Sequence, residues 1–233
     1  MEKSYMKIIN YVKREILAGA LKPGDQLLPE RELAEILGVS RNSVREGLRT
    51  LDNMGVIKSF HGSGNYIAGN FEETLTEVMA FMYMLKDMDY DRITEFRYAL
   101  EWQAMNLAVH QATEQQRQKM QEYYKKLITA DREEIWVKYD KAIHYLLVQA
   151  SKNDYMISNY KALNNIMDRY IPTMRGKIIG GMKSDECLIN AHRRIVEGFA
   201  EGNYLKGRQG LNLHFRYIKE YKDYEEMHKN KIK

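Results

Sequence analysis

Residues 29–54 hold two amphipathic segments separated by only three residues, Gly38-Val39-Ser40, and no other feature narrows the fold as much. The first, about Pro29 to Leu37, turns Leu33, Ala34, Ile36 and Leu37 inward, with Pro29 in the first turn where a missing N–H costs nothing. The second, Arg41 to Met54, has Val44, Leu48 and Leu51 on its apolar face and Ser40 as its N-cap. Two helices joined by so short a break must cross, which is helix-turn-helix spacing. A preceding segment, residues 5–18, places Ile8, Ile9, Val12, Ile16 and Leu17 on one helical face. After it, Leu21-Lys22-Pro23-Gly24-Asp25 reads as a turn. Following the pair, Val56–Phe60 and Asn65–Ala68 read as strands around the tight turn His61-Gly62-Ser63-Gly64, a small β-hairpin wing.

From Phe71 onward the chain changes character, with helical periodicity near 72–86, 90–110, 114–129, 131–151, 154–175, 184–201 and 203–226. Thr113 and Gln116 have capping-box spacing, and Gly180-Gly181 and Gly202-Asn203 punctuate loops. The expected architecture is therefore mainly α. A winged helix-turn-helix over residues 1–70 precedes an all-helical bundle of six to seven helices over 71–226, with a charged, frayed tail at 227–233. Only three prolines in 233 residues agree with that reading. At 44% hydrophobic and 29% charged, the chain has enough apolar residues for one large or two small cores, which excludes disorder as its general state.

No window approaches the roughly 20 uncharged apolar residues of a membrane span, so a cytoplasmic protein without membrane contact is expected. The single cysteine, Cys187, leaves neither an internal disulfide nor a thiolate cluster, so any metal must use His and carboxylate ligands. The net charge of +4 divides evenly: 10 Lys/Arg against 8 Asp/Glu through residue 70, and 26 against 24 after it. Charge alone selects neither half as a nucleic-acid binder, so local arrangement has to decide.

That arrangement favours the first half. The second helix of such a motif presents its first turns to base edges in the major groove. Here those turns offer Arg41, Asn42, Ser43, Arg45 and Arg49. Arg41, Arg45 and Arg49 recur every four residues and so share one stripe opposite the apolar face. The guanidinium fork matches guanine O6/N7 or a phosphate. A lone arginine stripe is ordinarily just a solvated face; the short turn before it and the Gly-rich hairpin after it point to DNA.

The stretch LKPGDQLLPERELAEILGVSRNSVREGLRTLDNMGVIKSFHGSGNYIA, residues 21–68, resembles the winged helix-turn-helix of GntR-family transcription regulators at most motif positions. It departs at Leu28-Pro29, where the family has Pro-Ser, and at Gly47, where it has Ala; the latter implies up to about 1 kcal/mol of lost helix propensity. The resemblance implies that Arg31 contacts phosphate or base and that Arg41 and Arg45 read the major groove with Ser40, Asn42 and Ser43 nearby. It further implies a backbone contact for Arg49 and a wing tip, His61-Gly62, that reaches the minor groove.

In the second half, Asp140 and His144 lie four apart on a strongly helical stretch, about 40° apart on one face, while His192 and His214 sit on two later helices among apolar residues. Three imidazoles and a carboxylate suit a divalent transition metal (Zn, Ni, Mn or Fe) rather than Mg or Ca. Taken singly, each of these histidines reads as an ordinary core or surface residue, and His61, His110 and His228 keep that reading. Residues 72–224 resemble the all-helical FCD effector domain of FadR-type regulators. The matching features are Arg97, Leu100 and Glu101; Asp140 and His144 followed by Ala150, Ser151 and Asn153; His192, Ile195, Gly198, Gly202 and Asn203; and His214. Members keeping the Asp and three His bind a divalent metal, so the resemblance implies that Asp140, His144, His192 and His214 are its ligands, although Ala191 stands where a Glu is usual.

It also implies that Arg97 pairs with a small carboxylate effector, although its spacing equally allows an intrahelical pair with Glu101. Asn164, Asn165 and Arg169 are further candidates to line that pocket. The expected function is a metabolite-responsive DNA-binding regulator, a repressor acting as a homodimer on an inverted-repeat operator. A metal-dependent enzyme using the three histidines and the aspartate is the alternative. No general base is spaced beside the site, and an enzyme has no use for the DNA-reading motif.

Overall fold

The computed structural model describes residues 3–69, 71–87, 89–167, 171 and 186–229. The chain divides into two compact units, Met1–Glu77 and Val78–Lys233. The first contains α1 (Ser4–Leu17), α2 (Glu30–Leu37), α3 (Arg41–Asn53), β1 (Ile57–Phe60) and β2 (Gly64–Ile67). The division falls within α4 (Glu72–Leu85). The second unit continues with α5 (Tyr90–Gln111), α6 (Glu114–Ile128), α7 (Glu133–Ala150), α8 (Asp154–Met167), α9 (Glu186–Glu201) and α10 (Tyr204–Lys229). The fold is thus mainly α with a small antiparallel wing, as the sequence periodicity predicts. Among the described residues, no helix is long and apolar enough to cross a membrane.

In the first unit, Ile8, Val12, Leu27, Leu33, Val44, Leu48, Leu51, Ile57 and Ile67 form one core. Gly38 adopts a left-handed conformation (φ 61°), which ends α2 and lets Ser40 cap α3 by accepting a hydrogen bond from the Ser43 N–H at 3.1 Å. Pro29 sits one position earlier than the sequence suggested, at the N-cap of α2, and gives that helix no side-chain cap. Glu30 and Glu32 in its first turn offset this by facing the positive end of the dipole. Three residues expected inside are exposed: Ile16, Leu17 and Ile36. Leu33 and Leu37 are only 40° apart on α2, and Ile36 falls on the flank where no neighbouring element covers it.

The wing pairs Ile57 with Ile67 and Phe60 with Gly64. The segment read only as a turn does more than turn: Leu27 N–H donates to Asn65 at 2.8 Å and Ile67 N–H donates to Asp25 at 2.8 Å, so residues 25–27 line the free edge of β2. Gly47 explains itself here. A Cβ on it would lie 2.7 Å from Ile8 Cβ and 2.9 Å from the Tyr5 carbonyl, so its absence lets α1 and α3 touch.

The second unit buries Ala104, Met105, Ala108, Met120, Leu127, Trp136, Ile143, Leu147, Tyr160, Ile195, Phe199 and Leu211 in one cluster. The expected capping box is present at Thr113 and Gln116. A glycine seam brings α9 and α10 together: a Cβ on Gly198 would meet Gly207 N at 2.1 Å, and one on Gly210 would meet Ile195 N at 2.5 Å. This close pairing sets His192 on α9 against His214 on α10. Arg117 clasps the other end of the pair, donating to Ala200 at 3.0 Å and to Val109 at 2.9 Å. The final helix continues to Lys229, past residue 226, because Tyr224–Lys229 contains no breaker; residues 230–233 lie outside the described residues. The stretch 168–185 also lies outside them except Ile171, and with it Arg169 and Gly180-Gly181, as does the side chain of Asn165.

Candidate functional sites

On α3, Arg41, Asn42, Arg45 and Arg49 are exposed, opposite the buried Val44, Leu48 and Leu51. Ser40 and Ser43 spend their hydroxyls on each other, at 2.9 Å, in the cap. Arg45 Nε donates to Glu30 Oε2 at 2.8 Å, and Arg31 Nε donates to Glu35 Oε1 at 3.1 Å. Both pairs are solvent-facing and so are readily exchanged for a phosphate or a base. His61 and Gly62 are exposed at the wing tip, beside a cleft of about 630 Å³ between the wing and the start of α2. Gln26 spans it, donating to the Ser63 carbonyl at 2.7 Å.

In the second unit, Asp140, His144, His192 and His214 are brought together from α7, α9 and α10. One ligand atom of each lies within 4.8 Å of all the others, and all four residues are buried. His144 Nδ1 lies 2.5 Å from Glu101 Oε2, and His192 Nδ1 lies 2.8 Å from the Leu188 carbonyl. Both oxygens only accept, so each Nδ1 carries the proton and each neutral ring keeps its lone pair on Nε2. These two Nε2 atoms face each other at 3.3 Å, and Asp140 Oδ1 stands 2.8 Å from that of His192.

A proton on His192 Nε2 would serve Asp140. It would leave His144 Nε2 unserved, and neither nitrogen of His214 has a hydrogen-bond partner. Asp140 Oδ1, despite its closeness to His192, has no aligned hydrogen bond either. Converging, unpartnered electron-rich atoms in a buried site are the arrangement a cation resolves, and the donor set fits a transition metal.

Arg97 joins this centre by the alternative its spacing allowed. Its Nε donates to Glu101 Oε1 at 2.6 Å, and both side chains are buried. Its guanidinium also lies over the Phe215 ring, 5.4 Å from the centroid. Nη2 has no partner, so the pair with Glu101 occupies one edge of the fork and leaves a donor free. Glu101 is the residue that sequence reasoning undervalued: it also accepts from the Tyr160 hydroxyl at 2.7 Å. Burial pushes its carboxyl up, but Arg97 and His144 beside it prevail and hold it at about 2. For Asp140 too burial acts upward, and the positive charge of the nearby Arg97 acts against it. Burial pushes His144 down against the pull of Glu101, and it pushes His214 well below the ordinary imidazole range. Both rings are therefore neutral near pH 7, the form that ligates a metal. Tyr160 carried no sequence signal, being one tyrosine of 17. Asn164 is half-buried on α8.

Residues 92–217 match the family model described as FCD domain, and residues 4–67 match that of bacterial regulatory proteins, gntR family. The chain belongs to the GntR family. It is similar to the HTH-type transcriptional regulator LutR of Bacillus subtilis, 29% identical over 87% of this chain and 93% of that protein. It is also similar to the putative L-lactate dehydrogenase operon regulatory protein of Escherichia coli, 26% identical over 85% of this chain and 78% of that one. Its fold matches Streptococcus agalactiae GntR with a TM-score of 0.63 at 24% identity, covering 93% of this chain and 98% of the other. As a GntR-family protein with an FCD domain it is a transcription regulator and not an enzyme, and its helix-turn-helix is a DNA-binding domain.

Proposed function

We propose that this GntR-family regulator is a repressor released by a small organic acid, which binds between Arg97 and a divalent transition metal, Zn, Ni, Mn or Fe, held by Asp140, His144, His192 and His214. The observation that carries the reading is the set of orphaned buried atoms around one point: both nitrogens of His214, Oδ1 of Asp140 and, beside them, Nη2 of Arg97. When bound, the metal supplies a Lewis-acid anchor for a carboxylate oxygen, while the free edge of the Arg97 fork takes another. Residues 71–226 are the sensing part and residues 1–70 the reading part. Arg41 and Arg45 read bases; Arg31 and Arg49 hold phosphates; Ser40, Asn42 and Ser43 flank them; and His61-Gly62 enters the minor groove.

The protein acts as a homodimer on an inverted repeat, because one three-helix head offers too few contacts and a two-fold dimer matches two-fold half-sites. The acid shifts DNA affinity only through unequal binding to the competent and incompetent dimers, typically by a coupling of about 1–3 kcal/mol. The name of the E. coli relative makes L-lactate the first acid to try. Metal analysis of the purified protein should give near-stoichiometric Zn, Ni, Mn or Fe, lost in His192→Ala. L-lactate and related hydroxy acids should raise the melting temperature only with metal present and should release an operator fragment. Metal content unchanged in a His144→Ala/His192→Ala protein would return these residues to the core.

A further inference from the structure

Glu101 is a fully buried carboxylate whose two oxygens are divided between two neighbours of different kinds. Oε1 accepts from Arg97 Nε and from the Tyr160 hydroxyl, at 2.6 and 2.7 Å. Oε2 faces His144 Nδ1 at 2.5 Å. Three donors thus converge on one carboxylate from α5, α7 and α8, and none of them is water. A buried charge of this kind is tolerated only when paired and fully hydrogen-bonded, and here it is both.

Its position relative to His144 is the informative part. The donor on Nδ1 fixes the ring's rotation and tautomer, so that the Nε2 lone pair, and not Nδ1, points toward Asp140 and His192. His192 obtains the same service from a neutral backbone carbonyl, and His214 has nothing of the sort. The three imidazoles therefore differ: only His144 is backed by a charge, which raises its basicity as a ligand.

We propose that Glu101 is a positioning residue for the metal centre: it sets the orientation and tautomer of His144 and strengthens its Nε2 as a ligand, while Arg97 and Tyr160 hold Glu101 in place. This rests on the metal reading above, and it assigns to Glu101 a task distinct from pairing with Arg97. An amide or an apolar group cannot replace it in the wild-type surroundings, because an amide has one acceptor oxygen while His144 and Arg97, on opposite sides of the carboxylate, both need one; of the three donors only Tyr160, whose hydroxyl can also accept, could turn to an amide N–H.

The test uses cobalt(II) alone as the probe on the full-length protein, reading affinity by chelator competition and ligand geometry by the d–d absorption bands. Removing either partner alone strands the other as a buried charge and risks unfolding, so wild type is compared with two double variants, Arg97→Met/Glu101→Leu and Arg97→Met/Glu101→Gln, in which the charges leave as a pair. With Arg97→Met, Glu101→Leu should weaken cobalt binding by about 10–100-fold relative to wild type and move the absorption bands. Adding Glu101→Gln in the same background returns one acceptor oxygen to His144 and should recover most of that loss together with the original bands. Equal affinity and identical bands in the Leu and Gln proteins would overturn the positioning role while leaving the metal site standing. Wild-type protein that binds no cobalt would overturn the metal reading itself.

Discussion

The same ion pair, Arg at one position and Glu four residues later on a helix, occurs in both units of this chain. In the DNA-reading unit Arg31 and Glu35 lie 3.1 Å apart with side chains 75% and 67% exposed. In the sensing unit Arg97 and Glu101 lie 2.6 Å apart with side chains 4% and 0% exposed. Water is the difference. Around Arg31 it competes for every donor, so the pair is worth at most a few tenths of a kcal/mol and the guanidinium is available to a phosphate. Around Arg97 burial excludes it, so the pair cannot open without stranding a charge, and both partners become fixed parts of a larger network. Identical sequence spacing thus gives a loose, exchangeable cation in one unit and a rigid one in the other.

The largest expected effect breaks that contrast directly. Arg97→Ala should destabilise the sensing unit by about 3–5 kcal/mol, because it leaves Glu101 buried without its guanidinium. Arg31→Ala should be near neutral. Urea unfolding of the two variants checks both, and equal, small losses would mean that water reaches Glu101. For the same reason, a variant meant to test effector binding at Arg97 should carry Glu101→Gln together with it, which removes the stranded charge and keeps an acceptor for His144.

A smaller loss is expected from acid, since protonation leaves the packing intact. Glu101 ionises at about 2 in the folded chain, below its ordinary value of 4.5. The folded state therefore binds this proton less readily than the unfolded state. The stability it contributes is fully present above pH 4.5 and is lost as pH falls from there toward 2. Urea midpoints of chelator-treated protein should drop across that window. The drop should be shallower in the Arg97→Met/Glu101→Gln protein, and equally steep curves would place the acid sensitivity elsewhere.

What the sequence disclosed follows the range of each interaction. Caps and turns act within four residues, so Ser40, Thr113 and the Gly38 break were legible from spacing, as were the helix-turn-helix and the i, i+4 pair Asp140 and His144. Glu101 was visible as a neighbour of Arg97. Its bond to His144 spans 43 residues and that to Tyr160 spans 59, and no local pattern encodes either. Exposure of Ile16, Leu17 and Ile36 was hidden for a related reason: periodicity names a face, but only tertiary structure says how much of it is covered. The role of residues 25–27 beside β2 was likewise masked, because a Pro-Gly turn at 23–24 is compatible with a strand edge immediately after it.

The arginines proposed to meet DNA sharpen the comparison on the exposed side. Arg45, held toward Glu30 at 2.8 Å, sits on the stripe facing out of α3, whereas Arg31 lies on α2. Arg45→Ala should cost roughly 1–3 kcal/mol of operator affinity and relax discrimination at one base pair. Arg31→Ala should weaken all DNA sequences alike and lower the slope of log affinity against log salt by about 1. Gel-shift titrations over several salt concentrations with operator and scrambled DNA separate the two. Equal losses on both DNAs for Arg45→Ala would move it to the backbone.

The smallest expected effect concerns Gly47, and there the sequence and the structure predict opposite signs. On an exposed helix, Gly→Ala gains about 1 kcal/mol of propensity, and an alanine is what the family pattern carries. Here the added methyl would stand 2.7 Å from Ile8 Cβ and 2.9 Å from the Tyr5 carbonyl. Neither is the free end of a flexible side chain, so α1 has to move away from α3, and overpacking of this kind typically costs about 1–3 kcal/mol. The two effects oppose each other and the steric one prevails, so Gly47→Ala should lower stability by about 1 kcal/mol net, read as a urea midpoint shift of the DNA-reading unit. A paired Ile8→Val change keeps Cβ and a Cγ, the Ile8 positions nearest the new methyl, and should recover none of the loss, provided the contact lies where the structure has it. A stabilised Gly47→Ala protein would mean that α1 yields to the methyl at little cost, and that propensity, not packing, governs this helix.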